Sequence, residues 1–248
     1  MSRKPFALAL ATLSLTMILI VILQPIRGWG GRAQAGPAGT VKGTIYFQGV
    51  KPHLPEISMA QDRVCASEQT GTVYPEDGQV NGNNTLPNVF VYVGGQAIQT
   101  YRPPSTPVTL AQRRCEYEPH VLGIMVGQPL QVTTEDPTTH NVHVMPKDNR
   151  SWNVSQQPGS QPLIERFAHP EIMIPVKCNQ HPWMKAYIGV TTNPFYAVTG
   201  NDGTFTIPNV PPGQYTIGAW TATSGTQEQQ VIIEAGKAVT ADFTFESH

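Results

Sequence analysis

Val176–Val190 reads VKCNQHPWMKAYIGV, and its reading decides the fold. It sets Cys178, His181 and Met184 in a Cys-x2-His-x2-Met pattern between two short runs of strand character, Ile172–Val176 and Ala186–Thr191. Upstream, Asp136–Val144 (DPTTHNVHV) places His140 at the start of another strand candidate, His140–Met145. Two imidazoles, a thiolate and a weak thioether form the donor set of electron-transfer copper sites. The soft sulfurs favour Cu(I) and imidazole suits both oxidation states, so the ion can change charge with little ligand movement. The thiolate must lose its proton, which metal binding brings about. Cys-x2-His alone is a zinc half-site, but a Met ligand does nothing useful for zinc. His143 is the competitor of His140, and Met145 of Met184, though Met145 lies on a strand rather than in the loop. His120 and His169 read as ordinary polar residues.

Outward from this loop the pattern is that of short strands joined by turns. The chain holds 22 Gly and 23 Pro among 248 residues, with 40% hydrophobic and only 13% charged. Such punctuation between runs of Val, Ile, Thr, Tyr and Phe predicts an all-β fold. Strands are expected at Thr40–Phe47, Asn88–Val93, Val108–Gln112, Val121–Met125 and Leu130–Thr134 before the metal loop. After it, Tyr196–Val198, Thr204–Ile207, Tyr215–Ala219, Gln229–Glu234 and Val239–Phe245 alternate, with turns at Asn201-Asp202-Gly203 and Pro211-Pro212-Gly213. Gln48–Leu86 is looser, and no convincing amphipathic helix stands out after the N-terminus.

The segment Cys178-Asn179-Gln180-His181-Pro182-Trp183-Met184, with His140-Asn141-Val142-His143 upstream, resembles the cupredoxin family in its amicyanin-like form. The resemblance covers roughly residues 108–192. It implies a Greek-key β-sandwich with one copper ion bound by His140, Cys178, His181 and Met184. It implies that Asn141 ties the ligand loops together through its side chain and that His143 is structural. In that family the outer edge of the His181-like ligand reaches an apolar docking surface, for which Pro182 and Trp183 are the candidates. The sequence departs from the family in an abbreviated N-terminal part of the barrel.

Val198–Phe205 and Val210–Ile217 are similar to a second family, the carboxypeptidase regulatory-like, transthyretin-like β-sandwich. That family opens on strands for which Gly39–Gly49 and Pro87–Gly94 are the candidates. The expected organisation is a sandwich split into residues 36–100 and 195–248, with the cupredoxin inserted as 101–194. A 50-residue C-terminal piece alone would bury too little surface. Two domains in simple series are the alternative. Such domains act as spacing or adhesive modules, so no chemistry is assigned to this one.

Cys65, Cys115 and Cys178 are the three cysteines. With Cys178 given to the metal, Cys65 and Cys115 are left to pair, against the alternative of two buried free thiols. Closing that loop contributes roughly 4 kcal/mol in the chain-entropy picture. Export makes a disulfide reasonable, and the N-terminus carries an export signal. Arg3 and Lys4 precede the uncharged Phe6–Leu23, and Ala33-Gln34-Ala35 offers a cleavage site. The expectation is a signal peptide or a retained N-terminal anchor over residues 1–35, an apolar helix in either case. Both place the rest outside the cytoplasm, as a periplasmic or secreted chain.

Four of the 16 Lys and Arg fall in the first 35 residues, leaving 12 against 17 Asp and Glu. An acidic body argues against nucleic acid and suits a redox protein partner such as a cytochrome, oxidase or dehydrogenase. The chain has no paired His-x-His motif for a trinuclear copper cluster, no second cysteine in the ligand loop and no phosphate-binding loop. No catalytic motif is found, so the expected function is single-electron carriage rather than an enzyme's. The alternatives are copper delivery or storage, and a non-redox binding module.

Overall fold

Strands form where apolar residues alternate: Thr204–Val210 buries Phe205, Ile207 and Val210 and exposes Thr204 and Thr206. The computed structural model describes residues 37–95 and 100–247. The expected apolar helix and cleavage site at residues 1–35 lie outside the described residues. Among the described residues, no helix is long and apolar enough to cross a membrane.

The described residues run β1 (Gly39–Gln48), the short helix α1 (Arg63–Glu68) and β2 (Phe90–Gly94). Then come β3 (Val108–Arg113), β4 (Glu116–Glu118), β5 (Val121–Met125), β6 (Leu130–Thr134), β7 (His140–Val144), β8 (Trp152–Gln156), β9 (Leu163–Glu165), β10 (Glu171–Lys177) and β11 (Lys185–Thr191). The series ends with β12 (Tyr196–Val198), β13 (Thr204–Val210), β14 (Gly213–Thr221), β15 (Gly225–Ile233), β16 (Ala238–Thr240) and β17 (Phe243–Glu246).

Among the described residues, four sheets stack as two sandwiches. The central one pairs the sheet β5-β11-β10-β7-β8 with β4-β3-β6-β9. Leu110, Tyr117, Ile124, Val142, Ile174 and Ile188 fill the space between these sheets. The terminal one pairs β12-β2-β14-β15 with β13-β1-β16, and β17 also pairs β1. Its core includes Val41, Ile45, Val91, Ile217 and Phe245. Sheet membership changes between β2 and β3 and returns between β11 and β12. Parallel pairing of β3 with β6 and of β5 with β11 marks the crossovers of the central sandwich.

A glycine pair joins the two bodies. Gly189 of β11 lies opposite Gly123 of β5. A Cβ on Gly189 would fall 2.4 Å from the Phe90 ring, and one on Gly123 would fall 2.3 Å from Tyr196. Two missing side chains make a flat bed on which aromatic rings from β2 and β12 rest. Phe90, Val121 and Met173 close this joint, with Met173 at a positive φ of 65° in the β10 bulge.

The long segment between β1 and β2 also holds the sandwiches together. His120 is buried between the Lys185 carbonyl, 3.0 Å from Nδ1, and the Asp77 carboxylate, 2.9 Å from Nε2. A carbonyl and a carboxylate only accept, so the site favours the doubly protonated, charged ring. Burial opposes that charge, but the Asp77 hydrogen bond and the Glu76 and Asp77 charges outweigh it, so the pKa is raised. A raised folded pKa gives stability that is complete below the unfolded value of about 6.5 and is lost as pH rises through the folded value. The urea midpoint of the wild type should therefore fall relative to that of His120→Ala between pH 6 and pH 9. Parallel pH profiles would show that the ring carries no charge.

Candidate metal centre

Three donor atoms converge at one end of the central sandwich. His140 opens β7, Cys178 follows β10, and His181 sits in the turn before β11. The ligand atoms of these three lie within 4.8 Å of one another, and all three residues are buried. His140 Nδ1 is 2.8 Å from His181 Nδ1, and Cys178 Sγ is 3.7 Å from His181 Nδ1. The turn closes on itself through Cys178 N donating to the Met184 carbonyl at 3.2 Å and Met184 N donating to the His181 carbonyl at 3.0 Å. Met184 is 1% exposed, inside the same core as Cys178.

Both imidazoles are gripped from behind by a carboxylate. Asp136 Oδ2 is 2.7 Å from His140 Nε2, and Asp62 Oδ2 is 2.9 Å from His181 Nε2. An ionised carboxylate only accepts, so each Nε2 carries a proton, and a ring that is neutral turns a lone pair inward at Nδ1. Two lone pairs 2.8 Å apart repel unless a cation or a proton stands between them. A carboxylate behind a ligand imidazole is the usual support of a metal-bound histidine. The donor set therefore fits a metal: two nitrogens and a sulfur aimed at one point, with their outer atoms satisfied.

Without an ion, a proton on His140 takes its place between the two rings. Burial opposes charge on His140, but the Asp136 and Cys178 contacts outweigh it and push its pKa up to about 9. Burial also resists ionisation of Cys178, yet the His140 contact and backbone N–H groups at Asn141, His181 and Gln180 bring its pKa down to about 6. Asp136 is lowered too; burial works against this, and hydrogen bonds from His140 and Cys115 prevail. The thiolate form of Cys178 is thus available at neutral pH.

The surrounding residues hold the ligand loops. Asn141 N–H donates to Cys178 Sγ at 3.4 Å, and its side-chain oxygen accepts from Asn179 N. Its amide nitrogen donates to Asn153, and its carbonyl accepts from Tyr117 Oη at 2.6 Å. His143 is 3.3 Å from the Asn179 side chain, away from the donor cluster. His169 lies in the loop before β10, where its carbonyl accepts from Asn149 at 2.9 Å. Pro182 is exposed and Trp183 half-buried, its indole N–H donating to the Cys115 carbonyl at 3.0 Å. The His181 edge does not reach the surface: the residue is 4% exposed, covered by Asp62 and by Cys65, whose sulfur is 3.6 Å from Nε2.

Cys65 and Cys115 are disulfide-bonded, and Cys178 is the free cysteine. Cys115 lies in the two-residue turn between β3 and β4, where Arg114 and Cys115 both take positive φ, 53° and 54°. Asp136 holds that turn by accepting from Arg114 N at 2.5 Å and Cys115 N at 2.9 Å. Sequence reasoning missed both carboxylates. Asp136 stands four residues before His140, a spacing that could have raised it; Asp62, 119 residues from His181, left no signal.

The profile of the carboxypeptidase regulatory-like domain family matches residues 179–246. That range takes in β11 to β17 and begins inside the metal loop. A comparison with curated proteins gave no match. Among solved structures, the Cu-containing nitrite reductase from Thermus scotoductus SA-01 is similar at 22% identity and TM-score 0.33, over 40% of this chain and 25% of that one. This chain therefore spans about a quarter of the reductase. A purple cupredoxin from Nitrosopumilus maritimus is 22% identical with TM-score 0.27, over 31% of this chain and 82% of that one. An oxidised amicyanin variant is 17% identical with TM-score 0.31, over 34% and 82%. Likenesses this slight carry no functional argument, and the case for chemistry rests on the donor geometry.

Proposed function

We propose that this chain is an extracytoplasmic single-electron carrier whose copper ion is held by His140, Cys178, His181 and Met184. The observation that carries the reading is the opposition of two imidazole Nδ1 atoms at 2.8 Å beside a buried thiol. Copper supplies the one-electron couple when bound; the protein supplies two neutral imidazoles, a ready thiolate and a shell that excludes water. A delivery or storage protein is the competing reading, and it asks for exposed donors. Burial of all four residues favours the carrier.

The disulfide and the sequence of residues 1–35 support export, and residues 36–100 with 195–248 are best taken as one discontinuous module around the cupredoxin. The partner is a redox protein with a basic surface. A cleft beside the metal loop, lined by Tyr74, Glu76, Glu116, Pro182 and Trp183, offers it acidic and aromatic contacts.

Adding Cu(II) should produce an intense visible thiolate-to-copper band that ascorbate bleaches and an oxidant restores. Copper bound without that band, or a band that does not cycle, would defeat the carrier reading. Met184→Gln should keep the copper and lower its reduction potential, because an oxygen donor stabilises Cu(II) over Cu(I) relative to a thioether. An unchanged potential in cyclic voltammetry would remove Met184 from the ligand set.

A further inference from the structure

We propose that Asp62 is a positioning residue of the metal centre, setting the tautomer and orientation of His181 from outside the central sandwich. The inference rests on the copper reading above and adds to it a residue from the segment between β1 and β2. It depends on how Asp62 divides its two oxygens. Oδ1 accepts from Val64 N at 2.8 Å and Cys65 N at 3.1 Å, capping α1. Oδ2 is left for the His181 imidazole at 2.9 Å. One carboxylate thus starts the helix and fixes the ring.

The disulfide keeps that carboxylate in place. Helix α1 is six residues long with Cys65 as its buried residue, and a helix so short does not hold itself together. Its bond to Cys115 fastens it to the β3–β4 turn, which Asp136 ties to His140. The two carboxylates therefore stand in matching roles. Each accepts from one imidazole Nε2 and from two backbone N–H groups, one of them a disulfide cysteine's. The disulfide spans the gap between them, behind both rings.

The physical consequence follows from what Nε2 would otherwise do. Without an acceptor there, the His181 ring could carry its proton on either nitrogen or turn over, and Nδ1 would face the donor cluster only part of the time. With Asp62 in place the neutral ring keeps its proton at Nε2 and turns the Nδ1 lone pair to the donor cluster. A carboxylate at Nε2 also makes the imidazole a stronger donor, which favours Cu(II) over Cu(I). Removing it should loosen copper and raise the reduction potential. Partners of this kind are worth about 10–100-fold in metal affinity.

The test uses the full chain with its disulfide intact and three measurements: chelator competition for Cu(II), the position of the thiolate-to-copper band, and the reduction potential. Asp62→Ser keeps a helix-capping oxygen but is too short to hold His181; Asp62→Asn keeps the length and caps through its oxygen. Both should weaken copper retention by about 10–100-fold, move the band and raise the potential. The thermal midpoint of the metal-free protein should change little in Asp62→Ser. Wild-type affinity, band and potential in both variants would overturn the proposal while leaving the copper reading intact. A wild-type chain with no thiolate-to-copper band would overturn the copper reading itself, and this inference with it.

Discussion

Replacing Cys178 with Ala should leave a folded protein that gives no thiolate-to-copper band with Cu(II). Cys178 is 2% exposed within the central core. Losing one buried sulfur there costs about 1 kcal/mol in stability, so the loss of colour is not a loss of fold. The thiolate is the sole anionic donor among His140, Cys178, His181 and Met184, and its removal takes away the charge that offsets the ion's. Copper affinity should fall by more than the roughly 10–100-fold that an outer hydrogen-bond partner is worth. Absorption spectra and chelator competition on the two proteins check both points. A Cys178→Ala protein as intensely coloured as the wild type would move the site elsewhere.

The largest effect on stability is expected at the joint between the sandwiches. Phe90 is 0% exposed, its ring lying where side chains on Gly189 and Gly123 would otherwise stand. Phe90→Ala should cost about 3–5 kcal/mol, since neither backbone can collapse into the space. Gly189→Ala should cost about 1–3 kcal/mol by the opposite route, forcing the buried ring aside. Together they should cost less than the sum of the two singles, because the added methyl enters the space the ring vacates. Urea denaturation of the four proteins measures the coupling; strictly additive losses would show that Phe90 does not rest on Gly189.

Much of the strand layout is legible from alternation and turn residues. Val121–Met125 and Leu130–Thr134 are observed with the bounds their pattern implies. Strands β4, β8 and β9 are not legible in this way, and the reasons are physical. β4 and β9 are three residues long, too short to show a period. β8 buries Trp152 and Gln156 at its ends and exposes the three between, so no alternation is written into it. Helix α1 has a six-residue span and one buried residue, which gives no stripe to detect.

At the site, the Cys-x2-His-x2-Met loop and the upstream His are visible because they are packed into two short stretches. What the sequence hides is the support. The Asp62 carboxylate approaches His181 from a segment far away in the chain, delivered by a disulfide rather than by local spacing. The covered His181 edge is a second consequence that no local pattern foretells.

The central claim is that Nδ1 of His140, Nδ1 of His181 and Sγ of Cys178 bind one and the same ion. A crystal structure of the copper-loaded protein, phased on the copper anomalous signal, tests it directly. A single copper peak bonded to those three atoms, with both Nε2 atoms still on Asp136 and Asp62, is the predicted result. Copper bonded through either Nε2, or seated away from the Cys178 sulfur, would contradict it.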